Sequence, residues 1–415
     1  MVKKRFLTGL GLFAVLIYLL VEARTPGDFS IYRQASADLF AGKNIYTSLY
    51  NQWYHYYYSV FFAILLYPAQ YISLFAAQFI WLLLNVWFIF RMVKIIAAYL
   101  STDSFNKQKR LLFLILCIVF ALRFLHDNIH LKQMTICILY LSLEGMNFIG
   151  TKRKITGALL IALAINIKLL PLVLLPYLLY RRELKAFAFI ILFYAAMMLL
   201  PAFVIGFRHN NELLGSWLSL MNPMAAHNIL DVDERSFHSL STLLATLLVK
   251  NVPDHYALPI RRNIADISIA HLSLILNITR LILIAFSLWF IRTRPFAAAP
   301  GKIYVFREVS YLLLLVPLIF PHQQQYAFLF VMPAVCFIFY FLISGYGIIP
   351  RLKFRLMAAG CIISYLACNL SLLLGEYNNY YDHFKILTYG ALLLIPLLSA
   401  TVKGTGIESR FANRL

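Results

Sequence analysis

Leu74-Phe-Ala-Ala-Gln-Phe-Ile-Trp-Leu-Leu-Leu-Asn-Val-Trp-Phe-Ile-Phe-Arg91-Met-Val-Lys94-Ile-Ile-Ala-Ala-Tyr-Leu100 holds only two charges in 27 residues. Wound as a helix it would be about 40 Å long, more than the roughly 30 Å thickness of a bilayer's hydrocarbon core. Working outward, similar apolar runs recur from Phe6 to Val402. Of the 415 residues, 62% are hydrophobic and 13% charged, about half the roughly 25% charged share of a soluble domain. A water-soluble globule is excluded. The pattern predicts an all-α polytopic membrane protein, one transmembrane domain over 1–415 with about 10 to 12 crossings and interfacial helices in the outer loops.

A net charge of +20 would suggest nucleic acid in a soluble protein. Here the basic residues fall in patches between the apolar runs. Drawing crossings near 6–22, 74–100, 111–125, 131–149, 155–167, 169–180, 186–206, 267–291, 306–320, 325–343, 355–374 and 385–402 places 24 of the 37 Lys and Arg on one side. The positive-inside rule makes that side cytoplasmic, with both termini. This requires the stretch from Tyr56 to Tyr71 to dip in and return or to lie at the interface; the short pair at 155–167 and 169–180 reads as a broken hairpin and leaves the sidedness unchanged either way. The Lys3-Lys4-Arg5 start, apolar run and Val21-Glu-Ala23 resemble a signal peptide, but an uncleaved anchor is expected. All five cysteines lie within predicted helices, so neither disulfide nor zinc chemistry is indicated. No nucleic-acid partner is expected; the lipid bilayer is.

The outer segments, chiefly 24–55 and 207–266, are longer and contain 11 of the 17 acidic residues. Chemistry is expected at this boundary. In the first outer loop, Asp28, Tyr32 and Ala35 share one face of a predicted amphipathic helix. Asp28 then has two readings: an N-cap of that helix, or a functional carboxylate. Lys168 sits in Ala164-Ile-Asn-Ile-Lys168-Leu-Leu-Pro171, where mid-membrane burial would cost about 2.5 to 3.5 kcal/mol. It either snorkels from a helix end or meets an anionic group such as a lipid phosphate. Lys132 and Gln133 head the next predicted helix, as a hydrated helix end or as ligands. In the long loop, Arg235-Ser-Phe-His238-Ser239 precedes a predicted interfacial helix over 240–249, with Ser239 as its cap. His322 follows Pro321 in a polar turn. No metal, nucleotide or other cofactor motif is present.

Taken in order, these residues resemble a known family. Asp28 followed by Tyr32, Ala35, Gly42 and Tyr46; the Tyr56–Tyr58 run leading to Pro68; Lys132-Gln133; Ile167-Lys168-x-x-Pro171 before Tyr180-Arg-Arg182; then Trp217 and Asn222-Pro223 are similar to the polyprenol-phosphate-mannose-dependent mannosyltransferases of glycosyltransferase family 87, in the GT-C superfamily. Two departures stand out: Tyr57-Tyr58-Ser59 where many members have Tyr-x-Pro-Pro, and Lys132-Gln133-Met134-Thr135 where many have Gly-Gln-x-Asn.

The resemblance implies a GT-C-like helical bundle in the cell membrane. It implies transfer of a hexose, usually mannose, from a polyprenyl-phosphate-linked donor to a hydroxyl of a glycan or glycolipid acceptor outside the cell. Asp28 matches the essential acidic residue of the first outer loop and would be the general base. Tyr32, Lys132, Gln133, Lys168, Arg235, His238 and His322 would bind substrate, the cations stabilising the departing phosphate. The rival class is a multi-pass transporter or flippase, which would require a second broken helix matching 164–171 in the other half.

The topology is testable by single-cysteine labelling in a background lacking the five native cysteines. Positions 28, 220 and 322 should label from outside, and 152 and 351 only from the cytoplasm. Labelling of position 28 only from the cytoplasm would invert the reading.

Overall fold

A computed structural model describes residues 2–52, 54–222, 225–232, 234–250, 252–291, 295–297 and 301–401, with the side chains of 2–8 and 12 excepted. Pro223, Asp233, Arg292, Arg294, Lys403, Arg410 and Arg414, and the side chains of Lys3, Lys4 and Arg5, lie outside that description. The chain is an all-α polytopic membrane protein. Its helices are α1 Val2–Glu22, α2 Phe29–Phe40, α3 Val60–Leu66, α4 Leu74–Leu100, α5 Lys107–His130, α6 Thr135–Gly150, α7 Lys154–Ile167, α8 Leu174–Tyr180, α9 Leu184–Leu199 and α10 Ala202–Ile205. They continue as α11 Phe207–Leu220, α12 Ala226–Leu230, α13 Leu240–Leu248, α14 Ile269–Ile291, α15 Lys302–Ile319, α16 Met332–Ser344, α17 Arg351–Asn369, α18 Asn378–His383 and α19 Ile386–Ser399.

Six helical stretches among the described residues are long and apolar enough to cross a bilayer: 74–100, 107–130, 184–205, 269–291, 325–344 and 351–372. Other apolar helices are shorter. The stretch after Tyr56 forms α3 and a 3-10 turn, Tyr67–Tyr71, together about 20 Å long and short of a crossing. The chain also breaks where Lys168 stands: α7 ends at Ile167, Lys168 is extended, and a 3-10 turn, Leu170–Val173, leads into α8.

The helices gather into two compact units. The first comprises Met1–Val93, His126–Leu169 and Ala188–Met221; the second comprises Lys94–Leu125, Leu170–Phe187 and Asn222–Leu415. In the first, α6 and α7 form a hairpin across Thr151–Arg153. Two glycines set how tightly it closes. A Cβ at Gly157 would lie 2.5 Å from the Gly145 carbonyl oxygen, and one at Gly145 would lie 2.9 Å from that of Gly157. Small residues at such a crossing let backbones touch. The antiparallel turn brings the start of α6 and the end of α7 to the same end of the pair.

In the second unit, residues 325–344 are almost wholly buried, as a helix apolar on every side requires. Against α15 and α16 packs the α17–α19 pair, where Ser364 Oγ donates to the Gly390 carbonyl at 2.8 Å. The expected cap at Ser239 is present: its Oγ accepts from Thr242 N at 3.2 Å and starts α13.

α2 is more enclosed than a helix resting on a bilayer. Phe29, Ile31, Tyr32, Ala35, Ser36, Asp38 and Leu39 are all buried, because α3 and its 3-10 turn pack against it. Ser59, one of the family departures, is the N-cap of α3, accepting from Phe62 N at 3.1 Å.

Candidate active site

The first unit's polar cluster is built on the end of α5. After His130 the chain makes a Schellman turn: Lys132 N donates to Ile129 O at 3.2 Å and Gln133 N to Asn128 O at 2.9 Å. Such a turn places its C′ residue in the left-handed region, where glycine is usual. Here that residue is Lys132, at φ 55°. The departure from Gly-Gln-x-Asn therefore falls where a side chain strains the backbone.

Lys132 has a compensating role. It is 0% exposed, and its Nζ donates to His130 O at 2.7 Å, Thr25 O at 3.0 Å, Thr25 Oγ1 at 2.5 Å and Pro26 O at 3.2 Å. Burial lowers its pKa. The ammonium thus ties the loop between α1 and α2 to the end of α5. Asp28 N completes the join by donating to Leu131 O at 2.9 Å. Gly27 makes the approach possible, because a Cβ there would lie 2.5 Å from Lys132 Cδ and 3.1 Å from Leu131 O.

This places Asp28 beside Gln133. Asp28 stands at the N-cap position of α2, yet its side chain makes no capping bond; it accepts instead from Gln133 Nε2. Gln133 Oε1 faces Tyr32 OH at 3.1 Å and Tyr58 OH at 3.4 Å, and the two hydroxyls lie 2.9 Å apart. An ionised carboxylate can only accept, so Gln133 turns its NH₂ to Asp28, which leaves its Oε1 to accept from the tyrosines. The arrangement reads as a chain, Tyr58 to Tyr32 to Gln133 to Asp28, ending on an acceptor. Asp28 is half-buried, and burial pushes its carboxyl up from 3.8 to about 6, against the lowering effects of Gln133, Lys168 and Lys132.

Lys168 completes the group. Its Nζ lies 5.7 Å from the centre of the Tyr58 ring, and its charge is felt at Asp28. Among the described residues it makes neither hydrogen bond nor ion pair. The hairpin geometry explains the meeting, since Gln133 precedes α6 and Lys168 follows α7.

The other sequence candidates lie in the second unit. His238 is fully buried, with Nε2 3.3 Å from Asp382 Oδ1 and 3.4 Å from Gln325 Nε2. Burial drops its pKa to about 4, so it is neutral at pH 7. Arg235 Nε lies 3.2 Å from Asp382 Oδ2. Lys385, buried and held down to about 8 by that burial, donates to Arg235 O at 3.0 Å. His322 sits at φ 58° with its N–H on Asp231 Oδ1 at 2.7 Å and its ring on Asn228. The carboxylate of Asp231 also accepts from Ser239 and Thr242.

Residues 56–305 match glycosyltransferase family 87, well over half of the chain. The chain belongs to glycosyltransferase family 87. No curated protein and no solved structure matches it. As a family 87 protein it is a membrane glycosyltransferase, which decides between the enzyme and transporter classes left open by the sequence. The matched segment includes Tyr58, Lys132, Gln133, Lys168, Arg235 and His238, whereas Asp28, Tyr32 and His322 fall outside it.

Sequence reasoning missed Tyr58 as a site residue, although it had singled out the Tyr56–Tyr58 run. It also missed Asp382 and Lys385 as partners of the 235–238 segment. The placement of Lys132 has a measurable consequence. Lys132→Met leaves three carbonyls without their donor, so it should lower unfolding stability by about 2 to 3 kcal/mol, the scale of hydrogen bonds to a charged group. Thermal unfolding of the purified protein checks this. An unchanged transition with selective loss of donor binding would make Lys132 a ligand instead.

Proposed function

We propose that this glycosyltransferase transfers a hexose, mannose by its sequence resemblance, from a polyprenyl phosphate to a hydroxyl of a glycan or glycolipid. In this reading it is a GT-C-type enzyme and works at the outer face of the cell membrane, the side opposite the basic patches. The observation that carries the proposal is one juxtaposition: a carboxylate oriented by Gln133 and near it the ammonium of Lys168, which makes no hydrogen bond or ion pair among the described residues. Group transfer needs those two functions on opposite sides of one bond.

The step is a single displacement. The acceptor O–H gives its proton to Asp28 as its oxygen forms the bond to C1 of the sugar. The bond from C1 to the phosphate oxygen breaks, and its electron pair leaves with the lipid phosphate. Lys168 stabilises that charge, more strongly at a desolvated position than it would in water. Tyr32, Tyr58 and Gln133 hold the carboxylate in one rotamer, and the Tyr58 ring forms a wall beside Lys168. Lys132, His238 and His322 act on this reading by holding loops. Arg235, paired to Asp382 and 36% exposed at its side chain, is the second unit's candidate for an anionic group.

Asp28→Asn tests the base. Both forms accept a hydrogen bond from Gln133, but only the carboxylate takes a proton, so transfer should fall by about 10²- to 10⁴-fold. Wild-type kcat/KM should rise tenfold per pH unit up to about pH 6 and then level off, following the ionisation of Asp28. The sign for stability is opposite. A folded pKa raised above the unfolded value favours the protonated form, so this contribution is present below about pH 4 and is lost as pH rises through about 6. Asp28→Asn should therefore melt no lower than wild type at pH 7 to 8. An active Asp28→Asn enzyme, assayed with a radiolabelled polyprenyl-phosphate sugar in washed membranes, would refute the base.

Lys168→Met removes a charge that membrane insertion does not favour. The variant should fold and insert at wild-type levels while losing donor turnover by at least tenfold. Wild-type donor affinity and turnover in that variant would remove Lys168 from the site.

A further inference from the structure

The loop before Asp28 lines a concavity of about 700 Å³, with Arg24, Pro26, Ser30, Leu74, Phe75 and Gln78 among its wall residues. Asp28, Gln133 and Lys168 are not part of its wall, so it is distinct from the site described above. It lies between the ends of two apolar helices, the end of α1 and the start of α4.

Two polar side chains on its wall have unspent donors. Arg24 is exposed, with its guanidinium carbon 5.8 Å from the centre of the Phe75 ring. Among the described residues its guanidinium forms no hydrogen bond or ion pair. Gln78 is only 2% exposed, and among the described residues its amide forms no hydrogen bond. A buried amide left unpaired is unfavourable, and proteins seldom keep one without a partner. No acidic residue lines the cavity. The remaining wall is mostly apolar, and Tyr71, Ile72, Leu74 and Phe75 present exposed side chains along the start of α4.

We propose that this cavity seats the phosphate headgroup of a bilayer phospholipid. The diester oxygens accept from the Arg24 guanidinium and from Gln78 Nε2, and the first carbons of the acyl chains lie on Leu74 and Phe75. The helix ends put the cavity at headgroup depth, where a phosphate and hydrocarbon are found side by side. A soluble anion would satisfy the donors and leave the apolar wall uncovered. An anionic headgroup binds more tightly than a zwitterionic one, because the wall offers a cation and no carboxylate. The bound lipid packs against Thr25 and Pro26, the residues whose oxygens hold Lys132, and so steadies the loop that bears Asp28.

The test uses the full chain, delipidated in neutral detergent and titrated with phosphatidylglycerol or phosphatidylcholine, with retained lipid read by native mass spectrometry and stability by thermal unfolding. Wild type should retain one phosphatidylglycerol in preference to phosphatidylcholine and melt higher with it. Arg24→Gln and Gln78→Leu should each weaken that binding about tenfold, the loss of one strong hydrogen bond. Gln78→Glu, which keeps the side chain's size and repels phosphate, serves the same purpose if Gln78→Leu does not fold. Arg208→Gln, at a residue with a 95% exposed side chain, should bind like wild type. Asp28→Asn should also retain the lipid, so failure of the transfer reading leaves this measurement intact. Unchanged retention in both Arg24→Gln and the Gln78 variant overturns the proposal. So does one-for-one displacement of the phospholipid by a polyprenyl-phosphate sugar, which would give the cavity to the donor.

Discussion

Four oxygens converge on the ammonium group of Lys132, and the position of Asp28 follows from that convergence. Two of them belong to Thr25 and one to Pro26, within three residues of the carboxylate, while the fourth comes from the end of α5. A loop leaving a membrane helix has few ways to fix its course, since its backbone groups meet both lipid and water. Here a buried cation replaces a network of loop contacts. The left-handed backbone at Lys132 would be relaxed by glycine, but glycine would give up the tether. The same residue also anchors α4, because Trp81 Nε1 donates to its carbonyl at 3.2 Å.

Much of this architecture is legible in the sequence because membrane helices announce themselves. The run predicted over 267–291 is α14, Ile269–Ile291, and the break anticipated near 167–169 is where α7 gives way to an extended Lys168. Ser239 reads as a cap and is one. These features are local, set by hydropathy, by side-chain oxygens and by proline within a few residues.

The parts that were not legible depend on partners distant along the chain. Lys132 looks like a ligand at the mouth of a helix until it is seen to reach Thr25, 107 residues away. His238 looks available until Asp382, 144 residues on, is found beside it. Tyr58 lies in a run of aromatics that hydropathy treats alike, and only the packing of α3 onto α2 singles it out. In each case residue type was informative and orientation was not, because orientation is decided by tertiary closure. Asp28 shows the same limit: the N-cap position was read correctly, while the side chain turns to Gln133 instead of the helix.

The glycine contact between α6 and α7 works as a caliper for the chemistry. Gln133 and Lys168 stand on the two jaws, and Gly145 and Gly157 are the hinge that sets the gap. The separation between the Gln133 amide and the Lys168 ammonium is therefore fixed by residues that touch neither. A methyl group added at the hinge would be felt along the length of each helix, as a wider span between Gln133 and Lys168.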